Sequence, residues 1–189
     1  MENKGLDPQL IATIVGGLIG IVGSIATLIA SHFLRVAGRI TITLSDAKIR
    51  LTKIENHTEI EAHSVADALK LGAELEVDIH NSSDIPRSLR DLQIETRSRA
   101  KRKTVKSNLY VDVRASAGSG RYSFPKELPI INIAPKELQH LSFRFYLAKE
   151  QLNLVDDKLE FYFTALHPNG RKFKVFLLRS EWGVAKAEK

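Results

Sequence analysis

From Leu10 to Ser31 the chain carries no charged side chain and no proline. As a helix these 22 residues span about 33 Å, enough for a hydrocarbon core of about 30 Å. A soluble helix needs a polar face, and Gln9 to Leu34, QLIATIVGGLIGIVGSIATLIASHFL, offers none. So small a domain has no room for a buried core helix of this length. The stretch therefore reads as a membrane-inserted helix at 9–34 behind a short tail, 1–8. The rival reading is a cleaved signal peptide, because Ser24-Ile25-Ala26 places small residues where cleavage needs them. Against it, Glu2 and Asp7 offset Lys4, so the basic n-region is missing. The apolar run also exceeds the usual h-region of about 7–15 residues.

Flanking charge sets an orientation. Lys4 stands alone before the helix, whereas Arg35, Arg39, Lys48, Arg50 and Lys53 follow it. Lys and Arg within about 15–20 positions of a span favour the cytoplasmic side, which places residues 35–189 there. The helix also repeats small residues every fourth position, at Ala12, Gly16, Gly20 and Ser24. Such a ladder lets two helix backbones approach closely, so the sequence predicts a homo-oligomer formed through this face.

After Arg39 the pattern turns from continuous to alternating. Ile40, Ile42 and Leu44 alternate with Thr41 and Thr43, and Ile49 and Leu51 continue the pattern past Ser45-Asp46. Glu55 to Asp67 is more polar and reads as an irregular or edge segment. Leu71, Ala73, Leu75, Val77 and Ile79 alternate with Glu74, Glu76, Asp78 and His80 before the turn formers Asn81-Ser82-Ser83-Asp84. Further strands are read at 88–96, 109–113, 138–147 and 158–166. The turn His167-Pro168-Asn169-Gly170 then leads to a returning strand through Phe173, Val175 and Leu177. Some seven to nine half-buried strands, and no helical repeat, predict an all-β sandwich of two antiparallel sheets at 35–183. A loose tail, 184–189, follows.

Asp157-Lys158-Leu159-Glu160-Phe161-Tyr162-Phe163 is similar to the immunoglobulin-type strand in which Asp, an apolar residue, Tyr and Cys alternate. Phe161 stands where the corner tyrosine would be, and Phe163 where the cysteine would be. The strand ending at Asn81, with Ile85-Pro86 and a second strand after it, resembles the first sheet crossover of such domains. The resemblance implies an immunoglobulin-like antiparallel β-sandwich over roughly 40–180, and domains of that kind mostly serve adhesion, binding and assembly. With no cysteine in the chain, no inter-sheet disulfide accompanies it.

The absence of cysteine also removes thiol catalysis and Cys-based zinc sites. No P-loop, dinucleotide glycine fingerprint, HExxH or GxSxG occurs, and Gly118-Ser119-Gly120 reads as a flexible loop. His57, Glu59, Glu61 and His63 share a parity, yet extended neighbours two apart sit about 6–7 Å from each other and do not converge on a metal without a bend. Arg97, Arg99, Lys101, Arg102, Lys103 and Lys106 form a run without an acidic residue, equal in number to the whole net charge of +6. Such a run suits anionic lipid headgroups or an acidic protein partner, or remains a solvated edge whose charges deter pairing. Nucleic acid would meet it through phosphates alone, since no aromatic residue is interleaved for base stacking. Tyr110, Tyr122, Phe124 and Trp182 divide between core packing and partner contacts.

The expectation is a single-pass membrane protein without cofactor or catalysis, an anchored interaction or assembly module. The alternatives are a nucleic-acid binder using 97–106, or an enzyme with an unrecognised polar site such as His57 to His63.

Overall fold

The computed structural model describes residues 8–117 and 120–182. Helix α1 (Pro8–Val36) precedes β1 (Ile40–Glu55), β2 (Thr58–Glu61), β3 (Lys70–Asn81), β4 (Arg87–Ser98), β5 (Thr104–Asn108) and β6 (Tyr110–Ala117). Then come β7 (Gly120–Glu127), β8 (Ile130–Ile133), β9 (Leu138–Ala148), the single turn α2 (Lys149–Leu152), β10 (Lys158–Leu166) and β11 (Lys172–Glu181). The tails before Pro8 and after Trp182, and Gly118-Ser119 of the expected loop, lie outside the described residues.

Two antiparallel sheets form the sandwich. The first runs β2-β1-β3-β9-β6-β7, and the second β11-β10-β4-β5, with β8 pairing the start of β4. Alternation drives the layering: β3 buries Leu71, Ala73, Leu75, Val77 and Ile79 and turns its acidic residues outward. Across the core, β10 buries Leu159, Phe161 and Phe163. The two sheets meet through aromatic pairs. Phe143 lies 6.1 Å from Phe163, and Phe145 lies 5.7 Å from Phe161, centroid to centroid. Offset and tilted rings of this kind add to their burial energy.

The strand count exceeds the expected range because β2, β5, β7 and β8 lie outside the alternating runs, while the breaks within those runs are bulges and sheet crossings. Ser45-Asp46 is a bulge inside one continuous β1, where the register against β3 slips between Leu44 and Asp46. Asp91, at φ 54, bends β4, so that its first half pairs β8 and its second half β5. Leu109, fully buried, is the step where the chain leaves the second sheet at β5 and enters the first at β6.

The β3–β4 crossing is held by Asn81, a fully buried side chain. Its Nδ2 donates to the carbonyls of Ile85 (2.9 Å), Ala134 (2.9 Å) and Ile133 (3.3 Å). Its Oδ1 accepts from the backbone N–H (3.1 Å) and hydroxyl (2.6 Å) of Ser83. One amide thus ties the outward crossing at 82–86 to the return crossing at 134–137.

The same crossing receives the end of α1. Arg87 Nη2 donates to the carbonyls of Val36 (2.7 Å) and Gly38 (3.2 Å). The Asp84 N–H donates to Arg35 O, and the Ser82 N–H to Arg39 O, both at 3.1 Å. Of these, the Arg35 and Val36 carbonyls are among those that a helix C-terminus leaves without intrahelical donors. Gly38 makes the approach feasible, since a Cβ there would collide with the Ser83 backbone.

Candidate functional site

The basic run folds as the end of β4, a turn and β5. Arg97 pairs in register with Thr104, and Glu95 with Lys106. Arg102, at φ 51, closes the turn. The six cations then divide by role. Lys101 turns inward: its Nζ donates to the carbonyls of Asn153 (3.1 Å) and Val155 (2.6 Å), just past α2. Asp156 accepts from the Ala100 N–H at 3.0 Å, so the turn is docked from both sides. Arg99 pairs with Glu160 at 3.2 Å. Arg97, Arg102, Lys103 and Lys106 are exposed, and among the described residues none of them forms an ion pair.

Arg97 and Lys106 belong to a wider surface, the outer face of the second sheet. Across it, register aligns Lys106, Glu95, Tyr162 and Phe176 in one row, and Thr104, Arg97, Glu160 and Arg179 in the next. The two carboxylates are nearly buried, with side-chain exposure of 9% each, and each is held by two cations. Glu95 meets Lys174 and, at 3.3 Å, Lys172. Glu160 meets Arg179 at 2.9 Å as well as Arg99. Burial pushes Glu95 upward, but hydrogen bonds and charge from Lys174 and Lys172 outweigh it and lower its pKa. The Tyr162 hydroxyl, donating at 3.0 Å, chiefly lowers Glu160, against burial and with help from Arg179 and Arg99. Burial and the Glu160 charge raise Tyr162 in turn. Both carboxylates therefore stay ionised and matched, and the face keeps a cationic surplus around an aromatic centre. There Tyr162 and Phe176 stack edge to face at 5.5 Å, with Lys174 4.3 Å above the Tyr162 ring. Phe176 remains 50% exposed.

Sequence reasoning missed Lys172, Lys174, Phe176 and Arg179. Their signal was present, since they alternate with the apolar residues read as the returning strand. A bulge hides the last one: Phe161 pairs with Leu178 and Tyr162 with Phe176, which shifts Arg179 onto the outer face. Of the aromatics weighed between core packing and partner contacts, Tyr110 packs 6.3 Å from Tyr146 and Trp182 packs against the core. Phe124 is 46% exposed, and the Tyr122 side chain lies outside the described residues.

Other candidates disperse. Asn56 and His57 form the β1–β2 turn at positive φ, so His57 leaves the phase of Glu59 and Glu61. Among the described residues no group of three or more His, Asp or Glu side chains is placed to hold a metal. On the outer face of the first sheet, a groove of about 310 Å³ opens over Gly72 beside Arg50, Lys70 and Tyr146. Its Arg144 is spent on Glu74 (3.2 Å) and Asp112 (2.8 Å).

The small-residue ladder lies on an unoccupied helix. A Cβ at Gly16 or Gly20 would meet nothing within 4 Å. Ser24 bonds back to the Gly20 carbonyl at 2.9 Å, which hides its hydroxyl, while the Ala12 side chain lies outside the described residues. From Val15 to Val36 the helix is long and apolar enough to cross a membrane, and none of it is buried against the sandwich. Helix and basic hairpin sit at opposite ends of the domain. Arg87, beside the helix exit, and Ser98, at the hairpin, bound a bent 12-residue strand.

No curated protein matches this chain. Among solved structures, it resembles a Northeast Structural Genomics Consortium target at 11% identity and a TM-score of 0.40, with 82% of this chain and 96% of the other covered. It also resembles an uncharacterized β-sandwich protein of Clostridium difficile 630 at 16% identity and a TM-score of 0.34, over 74% and 86% of the two chains. A protein from Archaeoglobus fulgidus matches at 11% identity and a TM-score of 0.37, over 76% and 100%. The model of the YopI Ig-like domain matches residues 38–178, from the Gly38 contact to the core-facing Leu178 of β11; the chain belongs to the YopI Ig-like domain family.

Proposed function

We propose that this protein is a membrane-anchored, non-catalytic interaction module. The observation that carries the reading is the state of α1, whose apolar stretch from Val15 to Val36 is wholly unburied although its end is hydrogen-bonded to the sandwich. An exposed apolar surface of that size calls for lipid around it. The excess of Lys and Arg after the span supports a cytoplasmic sandwich in this reading. The open ladder of Gly16 and Gly20 supports self-association of the helix within the bilayer.

The binding surface in this reading is the basic hairpin with the adjoining face of the second sheet. Exposed cations around a half-exposed Phe176 suit an acidic protein segment with an apolar anchor, because aromatic and arginine contacts carry most interface energy. The hairpin stands at the end of the sandwich opposite the helix exit, a bent 12-residue strand away, which favours a protein partner over headgroups of the same bilayer.

The test uses the full chain in detergent, passed over immobilised polyglutamate and over immobilised single-stranded oligonucleotides at rising salt. The parent should bind polyglutamate, and Arg102→Ser with Lys103→Ser and Lys106→Ser should lose that binding with an unchanged melting temperature. Equal retention of parent and variant would refute the surface. Tighter retention on the oligonucleotides would replace the acidic protein with nucleic acid. Release of the chain from membranes by alkaline carbonate would refute the anchor.

A further inference from the structure

The clamp on α1 decides which end of the sandwich lies nearest to the helix. Three connections gather there: 82–86, 134–137 and 167–171. Gly38, Arg39, Arg87 and His167 line one hollow at this end, and Pro86, Arg87, His167 and Arg171 line a second beside it. The helix exit, the β3–β4 crossing and the β10–β11 turn therefore share one surface. Exposed cations on that surface include Arg35, Arg39, Lys136 and Arg171, and Arg90 donates to the Pro168 carbonyl of the β10–β11 turn at 3.3 Å. Lys136 Nζ reaches the Ser82 carbonyl at 2.7 Å and Asp84 at 3.2 Å, so it sits against the clamp loop itself. Among the described residues, Arg35, Arg39 and Arg171 form no ion pair. The carboxylates nearby are Asp84, matched by Lys136, and Glu137, whose Oε2 accepts from the Ala134 N–H at 2.6 Å.

We propose that this end of the sandwich docks on anionic phospholipid headgroups through Arg39, Lys136 and Arg171, with Arg87 holding it in position. The proposal rests on the anchored reading above. It names a surface separate from the hairpin and assigns lipid to the near end alone. Two observations carry it. A surface joined by hydrogen bonds to the last turn of an apolar span is held at the depth where headgroups begin. Its exposed cations, Arg39 and Arg171 without an ion pair among the described residues and Lys136 shared with Asp84, carry the charge that an anionic leaflet attracts.

The chain has no cysteine, so one introduced thiol takes one dye. Asn169→Cys labels the β10–β11 turn, and Ala100→Cys labels the far hairpin. The full chain is inserted in vesicles that carry a headgroup-attached quencher, made of phosphatidylcholine alone or mixed with phosphatidylglycerol. The Asn169 dye should be quenched more in the phosphatidylglycerol vesicles. High salt should remove the difference, because the screening length falls to about 3 Å at 1 M. The Ala100 dye should stay bright in both. Arg39→Gln with Lys136→Gln and Arg171→Gln should erase the lipid dependence, the docked-to-undocked ratio falling about fivefold per charge. Equal quenching of the Asn169 dye in the two lipids, or quenching of the Ala100 dye as strong as that of the Asn169 dye, would overturn the proposal and leave the anchor standing. Carbonate release of the chain would overturn both.

Discussion

Asn81 shows how much one polar side chain can organise once it is cut off from water. Asn81→Leu keeps the volume but orphans the Ser83 N–H, while the Ile85 and Ala134 carbonyls each lose one donor and keep the Ser83 hydroxyl and the Glu137 N–H respectively. At about 1–3 kcal/mol for a buried unsatisfied group, we expect a loss within that range, measured by urea unfolding of the full chain in detergent. Packing residues obey the phase of their strands. Phe161→Ala should cost about 3–5 kcal/mol, because it removes a fully buried ring from the inter-sheet stack. Tyr162→Ala should cost clearly less, since Tyr162 faces outward; equal losses would refute the strand phase. That phase was legible from a period of two in Leu159, Phe161 and Phe163. The partners of Asn81 were not, because Ala134 lies 53 residues away and the residue reads locally as a turn former. The role of Lys101 was hidden for the same reason: its acceptors follow α2, some fifty residues on.

At the scale of elements, the sequence misleads where one strand changes phase or partner. Arg97 to Lys106 reads as one basic patch, but strand, turn and strand give its members different surroundings. Bulges at Ser45, Asp91 and Leu177 break alternations that otherwise mark β1, β4 and β11 plainly. The ion lattice on the second sheet has a signature in acid. Glu95 and Glu160 hold folded-state pKa values below the ordinary 4.5, so they favour the folded chain fully above that value. Their contribution is lost as pH falls below 4.5 and through the folded-state pKa. The melting temperature should fall with acid in the parent and less steeply in Glu95→Gln with Glu160→Gln. A shallower slope is expected rather than a flat line, because Asp78 and Asp156 are lowered as well. Parallel curves would mean that the lattice adds no net stability. For α1, Gly16→Leu with Gly20→Leu should reduce the oligomeric mass in detergent and in bilayers, because the isobutyl groups hold two backbones apart. The sandwich melting temperature should not move, since neither position touches it.

For the whole molecule, the junction between helix and sandwich is the least legible part of the chain. Nothing in Arg87 or Gly38 alone announces that they meet, 49 residues apart. Arg87→Gln removes donors from the Val36 and Gly38 carbonyls. It should speed tryptic cleavage after Arg39 in the full chain while lowering stability by about 1.5–3 kcal/mol, the range for hydrogen bonds to a charged group. Unchanged cleavage would show that the Ser82 and Asp84 contacts suffice. With the clamp in place, the sandwich is keyed to α1 as a crank is keyed to its shaft. Each residue inserted between Gly20 and Val36 turns the domain by about 100° about the helix axis and carries it about 1.5 Å outward. The azimuth of the cationic faces is therefore counted out in residues along the span. A one-alanine insertion swings those faces to another side, and an insertion of seven, close to two whole turns, brings them back to within about 20° of where they began.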